Sequence, residues 1–317
     1  MDAHPIERLA GRGFLVVTGK GGVGKSTVSA LLGRQLARGG EGAEGVSPDG
    51  RRVLVIEVDP RENLHHFLSA PPSGGEIVDV GGGLWLQHLK PRAVIDGVIE
   101  ERVHVGAISR RIQASPVYQH FIDGAPGLKE LAILEHARRL LDAHRFDLAL
   151  LDAPATGHGV SLLRAPGLVS DVVRGGPFGR IAEEIAGLVR DGERSGVVVV
   201  TQAEEMPVEE ALDLQGLLAE HLDRRADLLV INSLYPPLPA RPRGEAPRGP
   251  GIPELWRRRR AVNLRELERL AEAWNGPRLG LPLLPIARGP ELVAALGRCL
   301  AAGGVELSAA ATSEEAP

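Results

Sequence analysis

The sequence predicts an α/β protein, a mainly parallel β-sheet covered by helices on both faces. Three observations lead there. First, seven short runs rich in Val, Leu and Ile recur at residues 14–18, 53–58, 84–89, 148–151, 197–201, 228–231 and 279–284. None alternates apolar with polar residues, so each reads as a strand buried on both faces, the pattern of parallel sheets. Second, segments with apolar residues at three- and four-residue steps separate most of the runs, as right-handed crossover helices require. Third, the first run, FLVVT, leads into GKGGVGKST at residues 19–27 and then into helical spacing at 28–36. A strand, a glycine loop and a helix follow one another in the order that builds a phosphate site.

Length and composition suit this architecture. The chain has 317 residues, 43% of them apolar, enough for one large domain, expected over residues 1–302. Residues 303–317 end in AAATSEEAP and are expected to be disordered. A formal net charge of −4 points to neither nucleic acid nor an anionic membrane surface. The single cysteine, Cys299, excludes an internal disulfide framework and any multi-thiolate metal site. No run approaches the roughly 18 apolar residues of a membrane span, and residues 1–13 carry no apolar signal core, so a cytoplasmic protein without a stable membrane anchor is expected.

The first loop meets the spacing G-x-x-x-x-G-K-[ST] with Gly19, Gly24, Lys25 and Ser26. Backbone N–H groups of Gly19, Lys20, Gly21, Gly22, Val23, Gly24, Lys25, Ser26 and Thr27 would face phosphate oxygens, helped by the positive end of the following helix. Lys25 offers a compact cation to the β- and γ-phosphates, and the Ser26 hydroxyl offers a ligand to Mg²⁺. The implied ligands are a nucleotide and Mg²⁺. Lys20 is a second loop lysine that this spacing does not require.

Farther along, Asp59-Pro60 follows the second run, at a strand end where sheets of this type hold their ligands. Its carboxylate can orient a water near the γ-phosphate, or simply cap the next turn. Residues 146–166 read FDLALLDAPATGHGVSLLRAP. An apolar strand ending in Asp152 can hold Mg²⁺, usually through water, and the Pro and Gly residues beyond it suit a loop that repositions. Helical stripes fill residues 91–145, with Val94/Ile95, Val98/Ile99 and Ile108/Ile112 and a further stripe at 128–141. Another pair follows at 168–173 and 178–189.

The lysine pair of KGGVGK resembles the deviant P-loop class. The DAPATGH stretch, with Asp152, Thr156, Gly157 and His158 in register, resembles the ArsA type (arsenite-pump and tail-anchored-protein-targeting ATPases) more closely than the ParA or MinD partition ATPases. Asp59-Pro60 matches the start of that family's first switch, and Asn63-Leu64 is kept, whereas the residues around them differ. The resemblance spans most of residues 13–300 and implies a dimeric ATPase. Lys20 would then act across the interface on the other subunit's nucleotide, and the alternative for it is a solvated loop residue. Asp59 would activate water, and Ser26, Asp59 and Asp152 would serve the metal. Asn232, at the end of LLVINSL, would read the adenine, unless it is a turn residue only. Pro282-Leu283-Leu284 would cover the base and Gly289 would end that loop, although the EVRG or EIRG usual there is Ile286-Ala287-Arg288-Gly289 in this chain, without the acidic residue.

The resemblance also implies a helical subdomain at residues 91–145 and 166–192, inserted around the switches, whose apolar faces would form a client groove. Ordinary packing of those helices on the sheet is the other reading. Only Met1 and Met206 could supply the flexible thioethers such grooves favour. Glu204 and Glu205 are expected as a helix-start carboxylate pair facing backbone N–H groups. Residues 241–260 carry seven arginines against two glutamates, but Leu264, Leu267, Leu270 and Trp274 follow Arg257–Arg260 at helical spacing. A surface helix docking its leucine face is expected there, rather than a nucleic-acid contact.

For the coupled task, arsenite export needs several soft thiolates, which Cys299 alone cannot supply, and no CxxC pair for a zinc-bridged dimer is present. The preferred reading is a homodimer, or a heterodimer with a related ATPase, that handles a protein client. An anion-exporter ATPase subunit and a ParA/MinD-like spatial regulator are the alternatives.

Overall fold

In a computed structural model of the chain the described residues are 5–37, 50–59, 61–102, 115, 116, 124, 126–154, 159–172, 176–238, 252–305 and 307. All seven apolar runs are strands of one sheet: β1 (Phe14–Gly19), β2 (Val53–Glu57), β4 (Leu84–His88), β5 (Leu148–Asp152), β6 (Ser195–Gln202), β7 (Leu228–Leu234) and β8 (Arg278–Pro282). An eighth, β3 (Val78–Gly81), pairs antiparallel with β4 at the edge. The strand order is β3-β4-β2-β5-β1-β6-β7-β8, and every neighbouring pair except β3/β4 is parallel. From β1 the chain grows to one side through β2 and to the other through β6 and β7, which opens a crevice at the strands' C-terminal ends.

The missing alternation in the sequence has a direct counterpart in the packing. Successive residues of β1 enter opposite cores, Phe14 and Val16 on one face, Leu15 and Val17 on the other. One face is covered by α1 (Glu7–Ala10), α2 (Lys25–Ala37), α3 (Leu64–Leu68) and α10 (Pro290–Ala301), through residues such as Leu31, Leu64 and Leu296. The other carries α5 (Leu128–Asp142), α6 (Gly159–Val172), α7 (Gly176–Arg190), α8 (Glu205–Leu222) and α9 (Ile252–Ala273), through Leu134, Leu163, Ile185, Leu218 and Leu270. Each such side chain stabilises the fold by about 1.5–3 kcal/mol relative to exposure. α4 (Pro91–Arg102) leans on α5, with Ile95 against Ala132.

α9 is the surface helix the arginine run predicts. Leu267, Leu270 and Trp274 are buried, while Arg258 pairs with Glu254, Arg259 with Glu204, and Arg260 donates to the Tyr235 carbonyl at 2.9 Å. The Arg259 contact corrects one expectation. Glu204 is the N-cap residue of α8, but its side chain makes no cap hydrogen bond and turns to Arg259 instead. Glu205 occupies the helix's first turn. Of the expected tail, Val305 bridges Gly280 in antiparallel fashion. Ile108, Ile112, Pro60, Thr156, Gly157, His158 and residues 308–317 lie outside the described residues.

Candidate nucleotide site

β1 ends in the glycine loop, and two glycines there are required by close approach. A Cβ on Gly19, at φ +146°, would stand 2.1 Å from the Val200 carbonyl of neighbouring β6, so β1 could not run alongside it. A Cβ on Gly24, at φ +93°, would meet the Asn232 amide at 2.2 Å. The loop therefore lies against the ends of β6 and β7, with its residues turning into α2 directly beneath the crevice.

Lys25 opens α2 and is buried at 6% exposure. Its ammonium folds back along the loop, donating to the Gly19 carbonyl at 3.1 Å and the Lys20 carbonyl at 2.9 Å. Burial holds its pKa below the ordinary lysine value, while the carboxylates of Asp152 and Asp59 pull it back up. Asp152, at the end of β5, accepts from the Ser26 hydroxyl on one oxygen and the Ser29 hydroxyl on the other, both at 2.8 Å. Burial pushes the Asp152 carboxyl up to about 6 against those two hydrogen bonds and Lys25. Asp59, just past β2, is half-buried, and its carboxylate accepts the Arg61 N–H at 3.0 Å.

These groups converge on a cavity of about 700 Å³ at the C-terminal ends of the strands. From the predicted set it is lined by Gly22, Gly24, Lys25, Ser26 and Thr27 of the loop, by Asp59 and Asp152, and by Asn232, Pro282 and Leu283. Gly19, Gly21 and Val23 lie in the loop without lining it. Asn232 reaches the loop itself: its amide donates to the Val23 carbonyl at 2.9 Å. Ser233 beside it takes a left-handed φ of 59° where the β7/β8 register shifts, a bulge that breaks regular pairing at the cavity wall. Lys20 stands apart from this cluster. Its ammonium pairs with Glu210 of α8 at 2.5 Å, with both side chains partly exposed.

Ser26 and Asp152 are hard oxygen donors side by side, with Asp59 on the same cavity, and this donor set fits Mg²⁺, which takes one or two protein oxygens and completes its shell with phosphate and water. Among the described residues no group of three or more His, Cys, Asp or Glu side chains could hold a metal unaided.

Four contributors escaped the sequence reading. Ser29 braces Asp152 from within α2. Glu57, fully buried at the end of β2, accepts the N–H groups of Asn63 and Leu64 and so fixes the start of α3. Burial pushes its carboxyl up to about 7 despite those bonds. Gln87 and His88, also buried, end β4. The signal was present: VLVIE and LWLQH are apolar strands that finish in polar residues. A buried polar strand end demands partners.

Residues 12–176 match the family described as anion-transporting ATPase (ArsA ATPase). Among curated relatives, ATPase BagA of Mycobacterium tuberculosis is 28% identical over 224 residues, 67% of this chain and 63% of that protein. An arsenical pump-driving ATPase of Acidiphilium multivorum is 26% identical over 254 residues, 70% of this chain and 40% of that protein. ATPase asna-1 of Caenorhabditis elegans is 28% identical over 190 residues, 55% of this chain and 53% of that protein. The matched stretch thus spans less than two thirds of each relative's length. No helix among the described residues is long and apolar enough to cross a membrane.

Proposed function

Since the chain belongs to the anion-transporting ATPase family, we propose that it is a Mg²⁺-dependent ATPase that works as a dimer, hydrolysing ATP to ADP and phosphate to drive opening and closing around a protein client. One observation carries the catalytic part: the Lys25 ammonium, the Ser26 hydroxyl and the carboxylates of Asp59 and Asp152 meet on one cavity at the strands' C-terminal ends. Loop N–H groups and Lys25 bind the β- and γ-phosphates, and the α2 N-terminus adds its partial positive charge. Ser26, Asp152 and Asp59 would hold Mg²⁺, which when bound offsets charge on the phosphates. Asp59 holds the attacking water by accepting its hydrogen bond, in line with the bond that breaks between the γ-phosphorus and the bridging oxygen. Asn232 and the Pro282-Leu283 turn form the base end of the cavity.

Lys20 acts in trans in this reading. Its contact with Glu210 lies on the surface rather than over the chain's own phosphate loop, a position that leaves it available to a second subunit. An exposed pair of this kind contributes about 0–1 kcal/mol, so exchange for a triphosphate is inexpensive.

The client reading is favoured over anion export, the task in the name of the Acidiphilium relative, because a soft oxyanion such as arsenite calls for several thiolates and this sequence carries Cys299 alone. The test combines molecular mass and ATP turnover, with and without ATP, for wild type and Lys20→Ala. The variant is expected to bind nucleotide and fail to turn it over, and normal turnover would defeat the trans assignment. Stimulation by an unfolded apolar peptide supports the client reading. Stimulation by arsenite or antimonite, or dependence on DNA or liposomes, would replace it.

A further inference from the structure

Asp59 sits just beyond a strand, where a carboxylate can drift, and among the described residues its side chain takes a local hydrogen bond from the Arg61 N–H. Its backbone is held from behind. The Nε2 of His88 lies 2.7 Å from the Asp59 carbonyl oxygen. A carbonyl only accepts, so Nε2 carries the proton and His88 is the donor. His88 is 7% exposed and does not line the cavity, so its contact with the site runs through Asp59.

The histidine is itself anchored. It ends β4 directly opposite Glu57 of β2, and its own N–H donates to the Ser73 hydroxyl at 2.7 Å. The preceding Gln87 is equally buried. Its amide donates to the Gly75 carbonyl at 2.9 Å, and its oxygen faces Nε2 of His136 on α5 at 2.8 Å. An amide oxygen only accepts, so that ring nitrogen is the donor, and burial lowers the His136 pKa. The end of β4 is thus tied to the sheet and to α5, a rigid reference from which to fix a loop.

We propose that His88 is a positioning residue for the carboxylate of Asp59, setting its reach over the cavity by a hydrogen bond to the Asp59 carbonyl. The inference rests on the reading of Asp59 as the residue that orients water. Displacement of a catalytic group by about 1 Å costs on the order of 100-fold in rate, so loss of this one donor registers in turnover.

The full chain is assayed as wild type, H88A, H88Q and D59N for kcat, KM and affinity for a fluorescent ATP analogue, together with thermal unfolding. H88A is expected to lower kcat by about 10- to 100-fold with KM and analogue affinity little changed. H88Q, whose amide N–H can reach the same carbonyl, restores most of the rate. A merely structural histidine would instead move unfolding and affinity together and gain nothing specific from glutamine. Should H88A not fold, H88N takes its place, since its amide is too short for the contact. H88A or H88N at wild-type turnover, or H88Q no faster than either, overturns the proposal while an inactive D59N leaves the Asp59 reading standing. D59N with normal turnover, or a wild type without turnover, overturns that reading and this inference with it.

Discussion

Asp152 and Asp59 stand at the ends of β5 and β2, strands paired in register with Glu57 opposite Asp152. Asp152 is 3% exposed and each of its oxygens accepts a serine hydroxyl from α2. Asp59 is half-buried, and among the described residues its carbonyl is held by His88 while its carboxylate takes one N–H from its own turn. One carboxylate is fixed by its side chain and the other by its backbone. The difference separates two jobs that a strand-end Asp can do. A group that serves a metal shell alone is braced at its oxygens, whereas one that also directs water keeps an oxygen available while its position is set elsewhere.

The strongest way to break this contrast is Asp59→Asn. In the role proposed for Asp59, loss of its carboxylate is expected to reduce kcat by about 10²- to 10⁴-fold with affinity for a fluorescent ATP analogue nearly unchanged, and a parallel loss of affinity would show that its main share is in binding. The next test is pH. Burial raises the folded-state pKa of Asp152 from 3.8 to about 6, so between those values the native state binds more protons than the unfolded one. The stabilisation from the protonated form is complete below about pH 4 and is lost as pH rises through about 6, a contribution of roughly 3 kcal/mol. The urea midpoint of metal-free, nucleotide-free wild type should therefore fall relative to that of Asp152→Asn, which does not titrate, as pH rises over that window, and the gap should be flat above it. A wild type that gains stability relative to the variant as pH rises would mean that the serine hydroxyls outweigh burial.

Ser29→Ala sharpens the comparison further. It removes one brace from a buried carboxylate oxygen and is expected to cost about 1–2 kcal/mol in denaturant unfolding. The smallest effect belongs to the open side. Asn63 donates from its side chain to the Arg61 carbonyl at 2.9 Å in the exposed turn after Asp59. Asn63→Ala should change stability by less than about 0.5 kcal/mol by the same measurement. Equal costs for Ser29→Ala and Asn63→Ala would erase the distinction between the two strand ends.

Much of this was legible beforehand, for local reasons. Seven strands showed because two-sided burial demands unbroken apolar runs, and the glycine loop showed because its φ angles and close approaches leave few residue choices. β3 was missed because Val78–Gly81 is a short edge strand with alternating exposure, too brief for any period to emerge. Glu204 misled because an acid at a helix start has two good outlets, the backbone and a distant cation, and Arg259 is 55 residues away in sequence. Ser29, Glu57, Gln87 and His88 act through partners on other strands and helices.

The sequence by itself determined the layered sheet, the glycine loop and the pair of strand-end carboxylates, since backbone conformation and apolar periodicity are properties of neighbouring residues. Only the tertiary structure decided which carboxylate is braced and which is steered. That choice depends on side chains brought together by strand pairing, Asp152 with Ser29 across 123 positions and Asp59 with His88 across 29, and hydrogen bonds over such separations exist only once the sheet has formed.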